Sequence, residues 1–180
     1  YPLQHIDDPV GEIALCILSA INVGKIRSDE ELEELCELSV RGLEELIDYQ
    51  KYPVVAAEVA TKARRSLGIG FIGLAHYLAK LGYNYDSQEA WDAVHGLSES
   101  FQYYLLSASN KIAIEKGHCE YFGRTKYADA ILPIDTYKQD VDEISNQKLQ
   151  HDWEGLRTAI RAHGLRHSTL SAQMPSESSS

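Results

Sequence analysis

The chain has 180 residues and an ordinary apolar content of 44%, long enough for one domain with a sizeable core. Its formal net charge of -10 argues against a nucleic-acid-binding surface, which needs clustered Lys and Arg, although small anionic ligands need only a few local donors. No run of eighteen apolar residues suggests a transmembrane helix, and Tyr1 to Asp8 has neither the basic region nor the apolar core of a signal peptide. Cys16, Cys36 and Cys119 are odd in number and widely spaced, so they form no disulfide framework and no Cys-x-x-Cys metal site. A reducing, cytoplasmic setting fits them best. Residue 1 is not Met and the chain stops within a Ser-rich stretch, so a piece of a longer protein is expected.

Gly11 to Asn22 is the most apolar run. Bounded by Pro9-Val10-Gly11 and Asn22-Val23-Gly24, it reads as a buried strand, with a buried helical turn as the alternative. Cys16 sits in its middle and, on composition alone, reads as a small core hydrophobe. Ser28 and Glu31 then form an S-x-x-E capping box opening a helix. Leu32, Leu35, Cys36, Ser39, Leu43, Leu46 and Ile47 share its apolar face, and Tyr52-Pro53 ends it. Cys36 on that face reads as core.

Pro53 to Ser66 has no clear period; a small-residue stretch precedes the basic Lys62, Arg64 and Arg65. Gly68 to Gly73 spells G-x-G-x-x-G, the signature of a dinucleotide-binding turn. That motif requires an apolar strand before it, whereas Lys-Ala-Arg-Arg-Ser stands here. Close backbone packing, where a short strand turns into a helix from Phe71 to Leu81, is the preferred use of these glycines. Asp86 or Ser87 caps the longest helix, which runs to Lys116. It buries Ala90, Val94, Leu97, Phe101, Tyr104, Leu105, Ala108 and Ile112, and Gly117 stops it.

His118-Cys119-Glu120 reads as loop, since no second ligand pair is near enough to make a metal site. Residues 120–150 are irregular, with helical turns at Thr125 to Ala130 and Tyr137 to Ile144. Asp152 opens a helix through Trp153, Leu156, Ile160 and His163, closed by Gly164. Thr169 to Met174 is a second candidate strand. Widely separated strands joined through helices predict a helix-rich α/β fold with parallel pairing.

Taken together, several segments resemble one family: Gly11 to Gly24, Leu46 to Pro53, Arg64 to Gly70, Ile131 to Tyr137, His163 to Arg166 and Met174 to Glu177. In this order they resemble the large (alpha, catalytic) subunit of aerobic class I ribonucleoside-diphosphate reductase, in its bacterial and phage form. The resemblance covers essentially the whole chain. It implies a segment of a ten-stranded α/β barrel, with residues 1–180 as one partial domain in the barrel's second half. It also implies an oxidoreductase that converts ribonucleoside diphosphates to 2′-deoxyribonucleoside diphosphates for DNA synthesis.

Within that resemblance, Cys16 matches one thiol of the redox-active pair, its partner lying outside this chain. Leu18 matches a substrate-contacting position on the same strand face. Pro175, Ser176, Glu177, Ser178 and Ser179 match the loop that holds the substrate diphosphate. Many bacterial relatives have Thr at Ser178, and the hydroxyl is kept. Glu177 would repel phosphate through its side chain, so its part falls to the backbone or to a sugar hydroxyl. The implied partners are the remainder of the large subunit, the small (beta) subunit with its di-metal site and tyrosyl radical, and thioredoxin or glutaredoxin. ATP and dNTP effectors act on the whole enzyme. This segment is expected to bind no metal and no cofactor of its own, to contact neither nucleic acid nor membrane, and to be inactive alone. No Asn-x-Cys-x-Glu, the surroundings of the radical cysteine, occurs in it.

Two other classes remain as alternatives. One is a non-catalytic helical scaffold or interaction module that keeps these motifs. The other is a nicotinamide-binding domain around Gly68 to Gly73.

Overall fold

A computed structural model describes residue 8, residues 10–15 and residues 17–176. Strand β1 (Leu18–Asn22) pairs in parallel with β2 (Gly68–Ile72), in the register Leu18 to Gly68 through Asn22 to Ile72. A third parallel segment joins the far edge of β2 through an Ile69–Ser171 bridge, supported by Leu67 N–H donating to Thr169 O (3.0 Å) and Ile69 N–H to Leu170 O (2.8 Å). Parallel neighbours cannot be joined by a hairpin, so helices fill the connections. The first crossover holds α1 (Asp29–Tyr49) and α2 (Val55–Arg64). The second holds α3 (Leu74–Leu81), α4 (Gln88–Lys116), the short α5 (Pro133–Thr136) and α6 (Val141–Ile144), and α7 (Trp153–His163).

The expected strand over Gly11 to Asn22 shrinks to its last five residues. Residues 11–15 have no sheet pairing, Ile13 N–H donating to Ala56 O at 3.2 Å instead. In α1, Ser28 Oγ accepts the Glu31 N–H (3.3 Å), but the reciprocal half of the box is displaced. The Glu31 carboxylate takes the Arg27 N–H at 2.7 Å and the Arg27 guanidinium at 2.9 Å, because a cation outcompetes the neutral Ser28 amide. Leu46, expected on the buried face, is exposed, while Val40 is fully buried. Helix α2 was not expected. Its Ala56, Ala57, Ala60 and Ala63 are buried at helical spacing and let it approach closely.

Helix α4 starts on Ser87, whose Oγ accepts the Ala90 N–H, and ends at Gly117 with φ +84°. Leu97, Phe101, Leu105, Ala108 and Ile112 pack against the face of α1 formed by Leu32, Cys36, Val40, Leu43 and Ile47. Val94, expected in that core, is only half-buried. Ile17, Ile21, Ile69 and Leu170 bring the sheet's other layer to the same cluster. Where Gly42 lies on the exposed side of α1, nothing stands within 4 Å of a Cβ placed there. Gly42→Ala is therefore expected to stabilise the fold by about 0.5–1 kcal/mol, as helix propensity alone dictates, read as a raised urea midpoint. A lowered midpoint would mean that this helix face is covered.

Candidate active-site strand face

Successive residues of a strand point to opposite faces. Ile17, just before β1, and Ile21 on it enter the core, whereas Leu18, Ala20 and Asn22 are exposed; Leu18 retains 44% of its accessible surface. On β2, Ile69 is buried against the helices, and Gly68 and Gly70 belong to the Leu18 face. Both glycines are there because their neighbours come too close for a side chain. A Cβ at Gly68 would lie 2.6 Å from Leu18 Cδ2 and 3.3 Å from Ala172 Cβ. At Gly70 it would meet Ala172 O and Gln173 Oε1 at 2.5 Å and Met174 Cε at 2.7 Å. Two bare positions in β2 thus form a floor on which Leu18 closes from one side and residues 172–174 from the other.

Past Ala172 the backbone leaves the ladder and a side chain takes over. Gln173 Oε1 accepts the Phe71 N–H at 3.0 Å, and Gln173 Nε2 donates to Phe71 O at 3.2 Å. The expected strand from Thr169 to Met174 is therefore shorter than its apolar pattern suggests. Pro175, exposed, and Ser176, half-buried, follow at once. Cys16, Glu177, Ser178 and Ser179 lie outside the described residues. Of the expected site, the fold thus brings Leu18 to the same sheet face as the segment leading into Pro175 and Ser176. Gly68, Gly70 and Gln173 are additions, and two glycines at i and i+2 in a strand are a legible sign of close approach.

The glycine pattern at 68–73 is not a dinucleotide turn. Gly68 and Gly70 are inside β2, packed against Leu18 and residues 172–174, and leave no room for a pyrophosphate. Only Gly73, with φ +77°, stands at a helix start, that of α3 at Leu74 rather than Phe71. The basic cluster before it is also spoken for. Lys62 pairs with Glu58 (2.6 Å), Arg64 with Glu12 (2.5 Å), and Arg65 with Glu44 and Asp48 (2.7 Å each).

Arg65 belongs to a buried network that braces the strand face from behind. Glu44, 1% exposed, accepts from Arg65 Nε and Arg166 Nε at 2.7 Å and from His167 Nε2 at 3.0 Å. With Nε2 donating, His167 Nδ1 accepts from Ser109 Oγ at 2.9 Å, the tautomer being assigned from these partners. Burial pushes the Glu44 pKa up, but hydrogen bonds from His167, Arg65 and Arg166 outweigh it and hold it at about 2. Burial depresses the His167 pKa, Glu44 opposing it only in part. Arg65 takes a left-handed conformation (φ +48°) to end α2 and deliver its guanidinium inward. Arg166 also caps α4 through Gly117 O at 3.1 Å. In a similar way Asp135 accepts the Leu132 N–H (2.7 Å) and a forked pair from Arg157, fastening α5 to α7.

The other two thiols are unsuited to exchange. Cys36 is fully buried, and burial raises its pKa to about 12. Cys119 is in a loop, as expected, yet it is 1% exposed and burial raises its pKa too. Thiol–disulfide exchange needs an accessible thiolate, so both serve packing. Among the described residues there is no cluster of three His, Cys, Asp or Glu side chains that could hold a metal ion, and no helix long and apolar enough to cross a membrane.

Parallel strands linked through outer helices, with one strand face left open, define a segment of an α/β barrel. The ribonucleotide reductase barrel domain matches residues 3–180, and the chain belongs to that family. It is 59% identical over 179 residues to the ribonucleoside-diphosphate reductase subunit alpha of Haemophilus influenzae, covering 99% of this chain and 24% of that protein. The Escherichia coli ribonucleoside-diphosphate reductase 1 subunit alpha is 55% identical over 134 residues, 74% of this chain and 18% of that protein. The corresponding subunit of Enterobacteria phage T4 is 44% identical over 182 residues, 99% of this chain and 24% of the phage protein. The chain thus spans about a quarter of the length of the Haemophilus and phage relatives.

Proposed function

We propose that this chain supplies part of the catalytic barrel of a ribonucleoside-diphosphate reductase, with residues 1–180 as one partial domain in the barrel's second half. Its open strand face lines the place where the substrate is reduced. Replacing the ribose 2′-hydroxyl by hydrogen consumes two electrons and two protons and releases water. Two thiols supply both and end as one disulfide. Cys16 is one of them, and its partner comes from elsewhere in the enzyme. Leu18 contacts the substrate, and Pro175, Ser176, Glu177, Ser178 and Ser179 hold the diphosphate through backbone N–H groups and hydroxyls, which bind anions without a cation. The disulfide must be re-reducible, and thioredoxin or glutaredoxin returns it to the dithiol in a reducing cytoplasm. The radical arrives from the small subunit, which holds the di-metal site and tyrosyl radical, while ATP and dNTP effectors bind outside this segment. Alone, the chain has no turnover.

The observation that carries this reading is the glycine floor, which brings Leu18 and residues 172–174 together on one exposed strand face. Burial of Cys36 and Cys119 supports Cys16 as the exchanging thiol of this chain. The test is a single turnover by the complete enzyme, pre-reduced and left without external reductant. Deoxynucleotide should form together with a disulfide that mass spectrometry maps to the Cys16 peptide, Cys36 and Cys119 remaining alkylatable after denaturation. Deoxynucleotide formed with Cys16 still a free thiol would sink the assignment.

A further inference from the structure

Away from the strand face, a cavity of about 570 Å³ opens between α3, the first half of α4 and residues 133–153. That volume is in the range of small-molecule sites. Its wall is apolar and aromatic, formed by side chains such as Leu78, Trp91, Val94, Ile134, Tyr137 and Trp153, and no Lys or Arg lines it. Besides the phenols of Tyr85 and Tyr137, two ionisable side chains interrupt that surface: His95 and Glu99, one turn apart on α4. Glu99 is 6% exposed. Its Oε1 accepts from Gln150 N–H (2.8 Å), His151 N–H (3.1 Å) and Trp153 Nε1–H (3.0 Å). Its Oε2 is buried without a partner, and so is His95 Nδ1. A buried acceptor left unpaired is costly, and Glu99 Oε2 beside this cavity calls for a donor.

We propose that this cavity binds a small organic cation, its apolar or aromatic body lying beside Trp91 and Trp153 and its protonated amine donating to Glu99 Oε2. The charge argues for a cation, since Glu99 is the only Asp or Glu of the lining and no Lys or Arg there offsets it. An ammonium carries three N–H donors and no acceptor, which suits a carboxylate oxygen. Aromatic faces nearby add cation–π attraction. The site shares no residue with the strand face, so it stands or falls independently of the reductase reading.

Both tryptophans of the chain line the cavity, and the Trp153 indole N–H rests on Glu99, so its NMR resonance reports on that carboxylate. The full chain is titrated with 4-phenylbutylamine, 4-phenylbutanol and 4-phenylbutyrate. The amine should shift the Trp153 resonance saturably and bind about tenfold or more tighter than the alcohol, as a charge-assisted hydrogen bond in a desolvated site implies, with the carboxylate weakest. Glu99→Gln, its fold checked by circular dichroism, should erase the difference between amine and alcohol. Trp91→Ala, at the 40%-exposed rim, should weaken both alike. Equal affinities, tighter binding of the carboxylate, or no saturable shift would overturn the proposal. So would a longer polypeptide in which the Trp153 resonance is already displaced and the amine cannot compete, since a side chain of that polypeptide would then fill the cavity.

Discussion

Glu44→Ala is expected to destabilise the fold by about 3–5 kcal/mol, the range for removing one partner from a buried charge network. The loss exceeds one ion pair, because Arg65, 5% exposed, and the largely buried Arg166 would remain charged with their anchor gone, and His167 would lose its acceptor. Surface pairs such as Arg41–Glu115 (2.7 Å) between α1 and α4 should cost under about 1 kcal/mol when broken. Urea unfolding of both variants measures the contrast, and equal small losses would refute the bracing role. The network also predicts acid sensitivity. Glu44 and His167 both have pKa values below their ordinary ones, so the unfolded chain binds protons that the folded one refuses. Stability should fall as pH drops below the ordinary histidine value of 6.5, and further from 4.5 towards 2. His167→Gln should flatten the upper part of that decline.

Gly70→Ala should have the second large effect, and a more local one. The new methyl would have to occupy space within 2.5 Å of Ala172 O and Gln173 Oε1. One of these atoms is backbone, so relief requires the third strand segment to move, at a cost of about 1–3 kcal/mol typical of overpacking. The helical signal should persist, because α1, α4 and α7 pack without this contact. In the complete enzyme, KM for the nucleoside diphosphate should rise about tenfold or more, since residues 172–176 lead into the loop proposed to hold the diphosphate. Unchanged stability with unchanged KM would mean that the close approach does not exist in solution.

Much of the helical frame was legible in the sequence. Ser87 and Gly117 bracket α4, and Asp152 and Gly164 bracket α7, because caps and breakers act locally. Helix α2 escaped because a stripe of alanines carries little hydrophobic contrast, and its role is a close approach that only the folded chain reveals. The run from Gly11 to Asn22 was overextended because apolarity signals burial, while pairing depends on a partner strand that reaches only Leu18. The segments that carry the family resemblance contain Arg65, Arg166 and Asp135, but the bracing work of these residues was invisible. Glu44 is one glutamate among many in α1, and nothing local marks it as the one that turns inward. The reverse holds for the strand face. Gly68 and Gly70 were visible as a motif, and their real use followed once the dinucleotide fingerprint lacked its strand.

The amide of Gln173 has a consequence for how the scaffold and its ligand loop are joined. A sheet ladder binds main chain to main chain and opens only when strands separate, whereas here the last rung at Phe71 belongs to a single rotatable side chain. Rotation about its χ angles would open this rung while Leu170 keeps its place on Ile69. The hinge beyond Ala172 is therefore a rotamer, and the sheet ladder need not open for the chain that follows to move.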